Sequence, residues 1–128
     1  MVLPKSMRIK GHRSFDYLYK AAMRFSGSYM LLRVAKARPS ILNQQKGQLD
    51  EGQIRCAISI SNKVSKKAVI RNKIRRLFHE HLRLRLSKSK CGIGYWAFIT
   101  LKPNSIKEDF STLLKECDQL LLKAGLIL

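Results

Sequence analysis

The side chains best suited to bind phosphate groups are concentrated in residues 62–90. This stretch contains eleven Lys and Arg against a single acid, Glu80. An ordinary exposed basic helix interleaves acids at i to i+4 spacing, which relieves the repulsion between like charges. Because only one acid is available here, the imbalance favours a polyanion partner over a merely solvated charged surface.

Side chains that could cut a phosphodiester bond do not form a recognisable set. A protein that does so alone usually assembles carboxylates around metal ions or positions paired general acids and bases. His79 and His81 stand two apart, so on a helix they point in different directions, unlike the i, i+4 histidines of HExxH. Cys56, Cys91 and Cys117 lack CxxC spacing, which indicates neither a zinc site nor a disulfide framework. We therefore predict no catalytic residue and no metal site in the polypeptide. The eight acids do not form one catalytic set, because Asp16 and Glu80 are isolated, Asp50 and Glu51 lie in a predicted loop, and the other four lie on the last predicted helix: Glu108, Asp109, Glu116 and Asp118.

Length and charge limit the classes to which the chain can belong. Its 128 residues, 45% of them hydrophobic, suit one domain over residues 1–128 with a core of its own. A net charge of +18 opposes compaction unless something negative neutralises it, which implies nucleic acid or an anionic membrane. No apolar run reaches the roughly 18 residues of a membrane span, and residues 1–30 contain no signal-peptide core. We expect a soluble, cytoplasmic protein.

A central amphipathic helix is predicted over residues 67–86. A turn of about 100° per residue separates an apolar set from a polar, mostly cationic set. The apolar set is Ile70, Ile74, Leu77, His81 and Leu84, with Phe78 at its edge. The polar set is Asn72, Arg75, Arg76, His79 and Arg83. The first set is expected to dock on a core while the second faces outward.

Two other helices are predicted near the ends of the chain. The first begins at Ser14, a candidate N-cap, and its spacing is Phe15, Leu18, Tyr19 and Ala22. Aromatic residues four apart are more often core than ligand-binding. The last helix opens with a capping box of Ser105 and Glu108 and stops at Gly125. Its apolar stripe is Ile106, Phe110, Leu113, Leu114, Cys117 and Leu121.

Three strands are predicted from period-two alternation, over residues 28–38, 54–61 and 95–101. Arg33 interrupts an apolar face of the first strand, so we expect that face to be open. One face of the second strand is small and polar enough to floor a groove: Arg55, Ala57, Ser59 and Ser61. Residues 39–53 are predicted to form a surface loop. The order of elements indicates an α+β domain with helices covering one face of a small sheet.

Part of the sequence resembles the protein subunit of bacterial ribonuclease P. Residues 58–64 read Ile-Ser-Ile-Ser-Asn-Lys-Val, residues 66–70 read Lys-Lys-Ala-Val-Ile, and residues 71–77, the signature segment, read Arg-Asn-Lys-Ile-Arg-Arg-Leu. In that family a strand leads through a short basic turn into a helix with an Arg-Asn-Arg-x-x-Arg/Lys-Arg signature. Lys73 stands where the family usually has Arg; it keeps the charge but not the bidentate geometry.

The resemblance implies a fold and a division of labour. The implied fold is a two-layer α/β sandwich in the order helix-strand-strand-helix-strand-helix, with a left-handed β-α-β crossover around the signature segment. The implied enzyme is an endoribonuclease in which a catalytic RNA holds Mg²⁺ and removes the 5′ leader of precursor tRNA. The protein would bind that leader and the ribonuclease P RNA as a single RNA-binding domain, with no role for DNA or a membrane.

The resemblance also implies roles for particular residues. Those that would line the leader groove are Phe15, Tyr19, Arg33, Ala57, Ser59 and Ser61. Those that would otherwise contact RNA are Lys63, Lys66, Lys67, Arg71, Asn72, Lys73, Arg75, Arg76 and Arg83. Aromatic rings on an open groove stack bases with little sequence preference, and small residues allow the RNA backbone to approach.

Two other hypotheses fit parts of the sequence. The charge and size also suit a structural RNA-binding protein, such as a ribosomal protein. A nuclease that needs no RNA and uses His79 or His81 is disfavoured, because their helical spacing is wrong for a shared site.

Overall fold

The structure is a computed structural model that describes residue 3 and residues 7–38, 54–87 and 93–127. The elements in chain order are α1 (His12–Ala21), β1 (Met23–Ser26), β2 (Met30–Lys36), β3 (Arg55–Ser59), α2 (Ala68–Ser87), β4 (Tyr95–Leu101), a 3-10 helix (Pro103–Lys107) and α3 (Phe110–Lys123). The predicted loop over residues 39–53 lies outside the described residues. No described helix is long and apolar enough to cross a membrane.

The four strands form one mixed sheet in the order β1-β2-β4-β3. β1 with β2 and β2 with β4 are antiparallel, whereas β3 and β4 are parallel neighbours. Since α2 connects the two parallel strands, the sheet contains the predicted β-α-β crossover. The α+β class is confirmed, and the left-handed sense of the crossover stays a prediction.

β1 was not predicted from the sequence. It has only four residues and begins two residues after α1 ends. A strand of this length is too short for its alternating pattern to be distinguished from the pattern of the preceding helix. It forms because β2 offers it a hydrogen-bonding edge, with Met23 opposite Val34 and Ser26 opposite Leu31.

The main core lies between one face of the sheet and the helices α2 and α3. The α2 side chains buried there follow an i, i+4 row: Ile74, Phe78, Leu82 and Leu86. The predicted apolar side is therefore wrong at its C-terminal end, where Leu82 is 0% exposed and Leu84 is 47% exposed. The stripe turns slowly around the helix because 3.6 residues make a turn, so an i+4 row drifts away from a fixed direction.

α1 packs on the opposite face of the sheet. Its Leu18 is fully buried against a small cluster that includes Trp96 and Phe98 of β4. Alternate residues of β4, such as Ile99, belong to the main core on the other face. The prediction that all helices cover one face is thus wrong for α1. A single sequence shows which residues are buried but not on which side of the sheet a separate helix docks.

The start of α1 differs from the prediction. Ser14 lies inside the helix, and its hydroxyl donates a hydrogen bond to the Lys10 carbonyl at 2.7 Å. The residue before the helix is Gly11, whose φ of 87° is a left-handed conformation that glycine tolerates best. Ser14 was therefore wrongly identified as the N-cap.

The start of α3 also differs, whereas its end is confirmed. Asp109 is the N-cap and accepts a hydrogen bond from the Thr112 amide at 3.0 Å. Hydrogen bonds from the Thr112 side chain and from its backbone amide lower the pKa of Asp109. Ser105 belongs to the preceding 3-10 helix, so its capping box with Glu108 does not open α3. Gly125 has a φ of 76° and follows the last turn, as a helix stop does.

Candidate nucleic-acid interface

The sheet face that carries α1 remains open beyond this helix. Strand pairing places its side chains in two rows across the sheet, because residues directly opposite each other share a face. One row runs Arg33, Phe98 and Ala57, and the next runs Leu31, Thr100 and Ser59. We call these rows, with the α1 rings that border them, the groove. It combines aromatic, small and cationic side chains.

Three aromatic rings form one cluster along the groove. The ring centroids of Phe15 and Phe98 are 5.1 Å apart with planes at 60°, and those of Tyr19 and Phe98 are 5.8 Å apart with planes at 88°. Both spacings suit favourable edge and tilted ring contacts. Tyr19 is nevertheless 57% exposed, so a large part of its surface is available to a ligand.

Arg33 lies beside this cluster. Its guanidinium carbon is 4.5 Å from the centroid of the Tyr19 ring, within the range of a cation–π contact. Its Nη1 donates to Thr100 Oγ1 at 3.3 Å, while its Nε is buried without a hydrogen-bond partner among the described residues. The sequence prediction of an open face holds only beyond α1: Arg33 is half-buried, whereas α1 covers Phe98 of the same row, which is 4% exposed.

The remaining predicted groove residues lead toward α2. Ala57 and Ser59 are half-buried in β3, and Ser61 is exposed just after it. The Ser61 hydroxyl accepts a hydrogen bond from the Lys63 amide at 3.2 Å. Arg55, on the same predicted face, is buried and donates to the Arg8 carbonyl at 2.8 Å. The groove floor therefore runs directly into the basic turn before α2.

The basic turn is held in place by Arg71. Its Nη1 donates to the Ser65 carbonyl at 2.8 Å, and Val64 is buried beneath the turn. Arg71 therefore has a structural contact as well as a predicted RNA contact. Lys63, Lys66 and Lys67 are exposed around it.

The signature segment continues as one flank of α2. Residues spaced by about 100° on the helix place Asn72, Arg75, Arg76, His79 and Arg83 on the same side. We call this side the basic flank. Arg75 Nη1 donates to Asn72 Oδ1 at 2.7 Å, and Asn72 and Arg76 are exposed. Lys73 is also exposed, but the helical period places it about 100° from the centre of this flank.

The two histidines of α2 have different environments. His79 is half-buried, and burial together with the positive charges of Arg75 and Arg8 lowers its pKa. His81 Nε2 lies 2.8 Å from Asp118 Oδ1 on α3. The predicted separation of the two rings is confirmed, since one faces the basic flank and the other faces α3. Within the described ranges, no group of three His, Cys, Asp or Glu side chains could hold a metal ion.

Sequence reasoning missed two residues that the groove brings together with the predicted set. Phe98 contacts both α1 rings, and Thr100 accepts from Arg33. Both lie in the strand predicted over residues 95–101, at alternate positions. Period-two alternation could have placed them on one face, but only strand pairing shows that this face is also the face of Arg33 and Ala57.

Comparisons with known proteins agree with this arrangement. A family model described as Ribonuclease P matches residues 3–125. The chain is 60% identical to the ribonuclease P protein component of Prochlorococcus marinus (strain NATL1A) over 126 residues, which cover 98% of each chain. The chain belongs to the ribonuclease P protein family. The expectation drawn from the signature segment is thereby confirmed.

Solved structures of ribonuclease P proteins have the same fold. The Staphylococcus aureus protein superposes with a TM-score of 0.76 at 18% identity, covering 97% of this chain and all of the other. The Thermotoga maritima protein superposes with a TM-score of 0.69 at 20% identity, covering 89% of this chain and 94% of the other.

Family membership implies partnership with the ribonuclease P RNA in an endoribonuclease. The ribosomal-protein alternative is not favoured, because the curated relatives at high identity are ribonuclease P protein components. The individual RNA contacts assigned to groove and flank residues stay predictions.

Proposed function

We propose that this chain binds the single-stranded 5′ leader of precursor tRNA in the groove and docks on the ribonuclease P RNA through the basic flank. The observation that carries the proposal is the exposed Tyr19 ring, which contacts both Phe98 and Arg33. A ring face beside a guanidinium suits stacking of an unpaired base with its phosphate neutralised. The groove leads to the basic turn, so one RNA strand can lie on both surfaces.

We further propose that hydrolysis is carried out by the RNA subunit, which mainly holds the Mg²⁺ ions. In support, the carboxylates on and before α3 already have structural partners. Asp109 caps the helix, Asp118 contacts His81 and Arg85, and Glu116 accepts from the backbone amides of the β1–β2 turn. Carboxylates engaged in this way are not free to position a metal-assisted reaction.

The cationic surface can neutralise phosphates of both the RNA subunit and the leader. Closely spaced phosphates repel one another, and each Lys or Arg that contacts a phosphate releases condensed counterions. The exposed residues of the basic turn and the basic flank offer several such contacts, and no ion pair within the described ranges engages them. The protein therefore acts on binding and positioning of the substrate, not on bond breaking.

Reconstitution tests this function. Protein alone should leave precursor tRNA intact, whereas protein with its cognate RNA should remove the 5′ leader at lower Mg²⁺ concentrations than the RNA alone. Robust cleavage by RNA-free protein would show that the proposed division of labour is wrong.

A pair of variants tests the groove. Tyr19→Leu removes the ring and should raise KM for leader-bearing substrate about fivefold, since base–ring stacking is worth about 1 kcal/mol or more. Tyr19→Phe keeps the ring and should behave like wild type. Equal KM values for the two variants would argue against stacking on this ring.

A further inference from the structure

β1 carries an arginine that faces the groove from the outermost strand. Arg24 and Arg33 are Cα partners in the antiparallel pairing of β1 with β2. Residues directly opposite each other in such a pair lie on the same face of the sheet. Arg24 therefore lies on the face that carries Phe98 and on which Tyr19 packs. Arg24 is exposed, whereas its neighbour Phe25 packs against the main core.

Two like charges directly opposite each other destabilise a sheet unless something neutralises them. No ion pair among the described residues involves either arginine. Among the same described residues, Arg33 Nε is buried and has no hydrogen-bond partner. A third cation lies nearby, since Lys102 Nζ donates to the hydroxyl of Ser26 at 3.1 Å. This edge of the groove is therefore arranged for an anion.

We propose that Arg24 and Arg33 clamp a phosphate of the single-stranded leader where the leader crosses the β1 edge of the sheet. This inference rests on the proposed leader-binding function and extends the groove by one strand. Tyr19, which is 57% exposed, stacks a base on the part of its ring that the Arg33 guanidinium does not cover, and the pair of arginines holds the backbone next to that base.

The position of the clamp determines which part of the leader it contacts. Strands lie about 4.8 Å apart, so three strand spacings place β1 about 14 Å from β3. Ser59 and Ser61 at the β3 side adjoin the basic turn, which leads to the basic flank that we propose docks on the catalytic RNA. The clamp therefore contacts nucleotides farther from the cleavage site than those that lie on β3.

Leaders of graded length test the clamp in the reconstituted holoenzyme. With a leader long enough to reach β1, Arg24→Ala should weaken substrate binding about three- to fivefold, which is the scale of one exposed ion pair. With the shortest leaders the same variant should bind like wild type. Lys115→Ala, which removes an exposed cation from α3 on the other face, is the matched control and should match wild type at every length.

A chemical modification of the substrate identifies the contact. Replacing leader phosphates one at a time with uncharged methylphosphonates should reveal one position that weakens wild type more than it weakens Arg24→Ala, because only the Arg33 contact is left to lose in the variant. Arg24→Lys should retain most of the binding, because it keeps the charge. An Arg24→Ala defect that is the same at all leader lengths would overturn the clamp and assign Arg24 to the catalytic RNA.

Failure of the clamp can be distinguished from failure of the proposed function. If Tyr19→Leu weakens binding of long leaders while Arg24→Ala does not, the groove binds the leader and the clamp is wrong. If wild-type affinity does not depend on leader length at all, the leader-binding function itself is wrong.

Discussion

Arg71 and Arg76 belong to the same signature segment, yet replacing each with alanine should have a different effect. Arg71 donates to the Ser65 carbonyl at 2.8 Å and is half-buried. Charged hydrogen bonds contribute about 1.5–3 kcal/mol, and competition from water reduces this to about 1 kcal/mol here. Arg71→Ala should therefore lower the melting temperature by about 4 °C for a chain of this size.

Arg76 is exposed on the basic flank, so Arg76→Ala should change the free energy of unfolding by no more than about 0.5 kcal/mol. Its effect should appear in RNA binding. Log affinity falls as log salt rises, and losing one phosphate contact makes this negative slope less steep by about 0.7 to 0.9. A fourfold rise in salt should then reduce the affinity gap between variant and wild type about threefold.

Thermal unfolding followed by circular dichroism, and titrations of the ribonuclease P RNA at several salt concentrations, measure both effects. An Arg71→Ala protein as stable as wild type would show that the Ser65 contact does not hold the turn. An Arg76→Ala deficit that is unchanged by salt would show that Arg76 does not contact a phosphate.

Two further predictions concern stability. A Cβ added at Gly27 would lie 2.6 Å from Glu116 Cδ, so the Glu116 carboxylate would have to shift away from the Ser28 and Tyr29 amides that donate to it. Gly27→Ala should therefore cost about 1–2 kcal/mol in urea unfolding, the scale of one or two lost hydrogen bonds. The cost should largely disappear in a Glu116→Ala background, and equal costs in both backgrounds would contradict the contact. The pKa of His79 in the folded protein is lower than its ordinary value of about 6.5. Between these two pKa values the unfolded chain therefore binds more protons than the folded protein does. Stability should therefore fall as pH drops from about 7.5 through 6.5 toward the folded pKa, and this fall should be smaller in His79→Gln; identical pH profiles would show that His79 is not the group responsible.

Local patterns predicted much of the fold because they depend on near neighbours in the chain. The central helix was expected over residues 67–86 and is Ala68–Ser87, and the last strand was expected over 95–101 and is Tyr95–Leu101. Twenty residues with helical period leave few alternatives. The predicted N-caps of α1 and α3 were wrong, because several Ser, Asp and Gly residues near the start of each helix could cap it and the local sequence does not decide between them.

The sequence by itself determined that the chain is a polyanion-binding α+β protein of the ribonuclease P family, since charge imbalance and the order of residues 58–77 are properties of the linear chain. Only the tertiary structure decided how the groove is assembled. The pairing of β1, β2, β4 and β3 brings Arg24, Arg33, Phe98 and Ala57 into one row, although they come from distant parts of the sequence. Which face α1 covers, and hence which rings meet Phe98, depends on packing between elements and not on the period of any one of them.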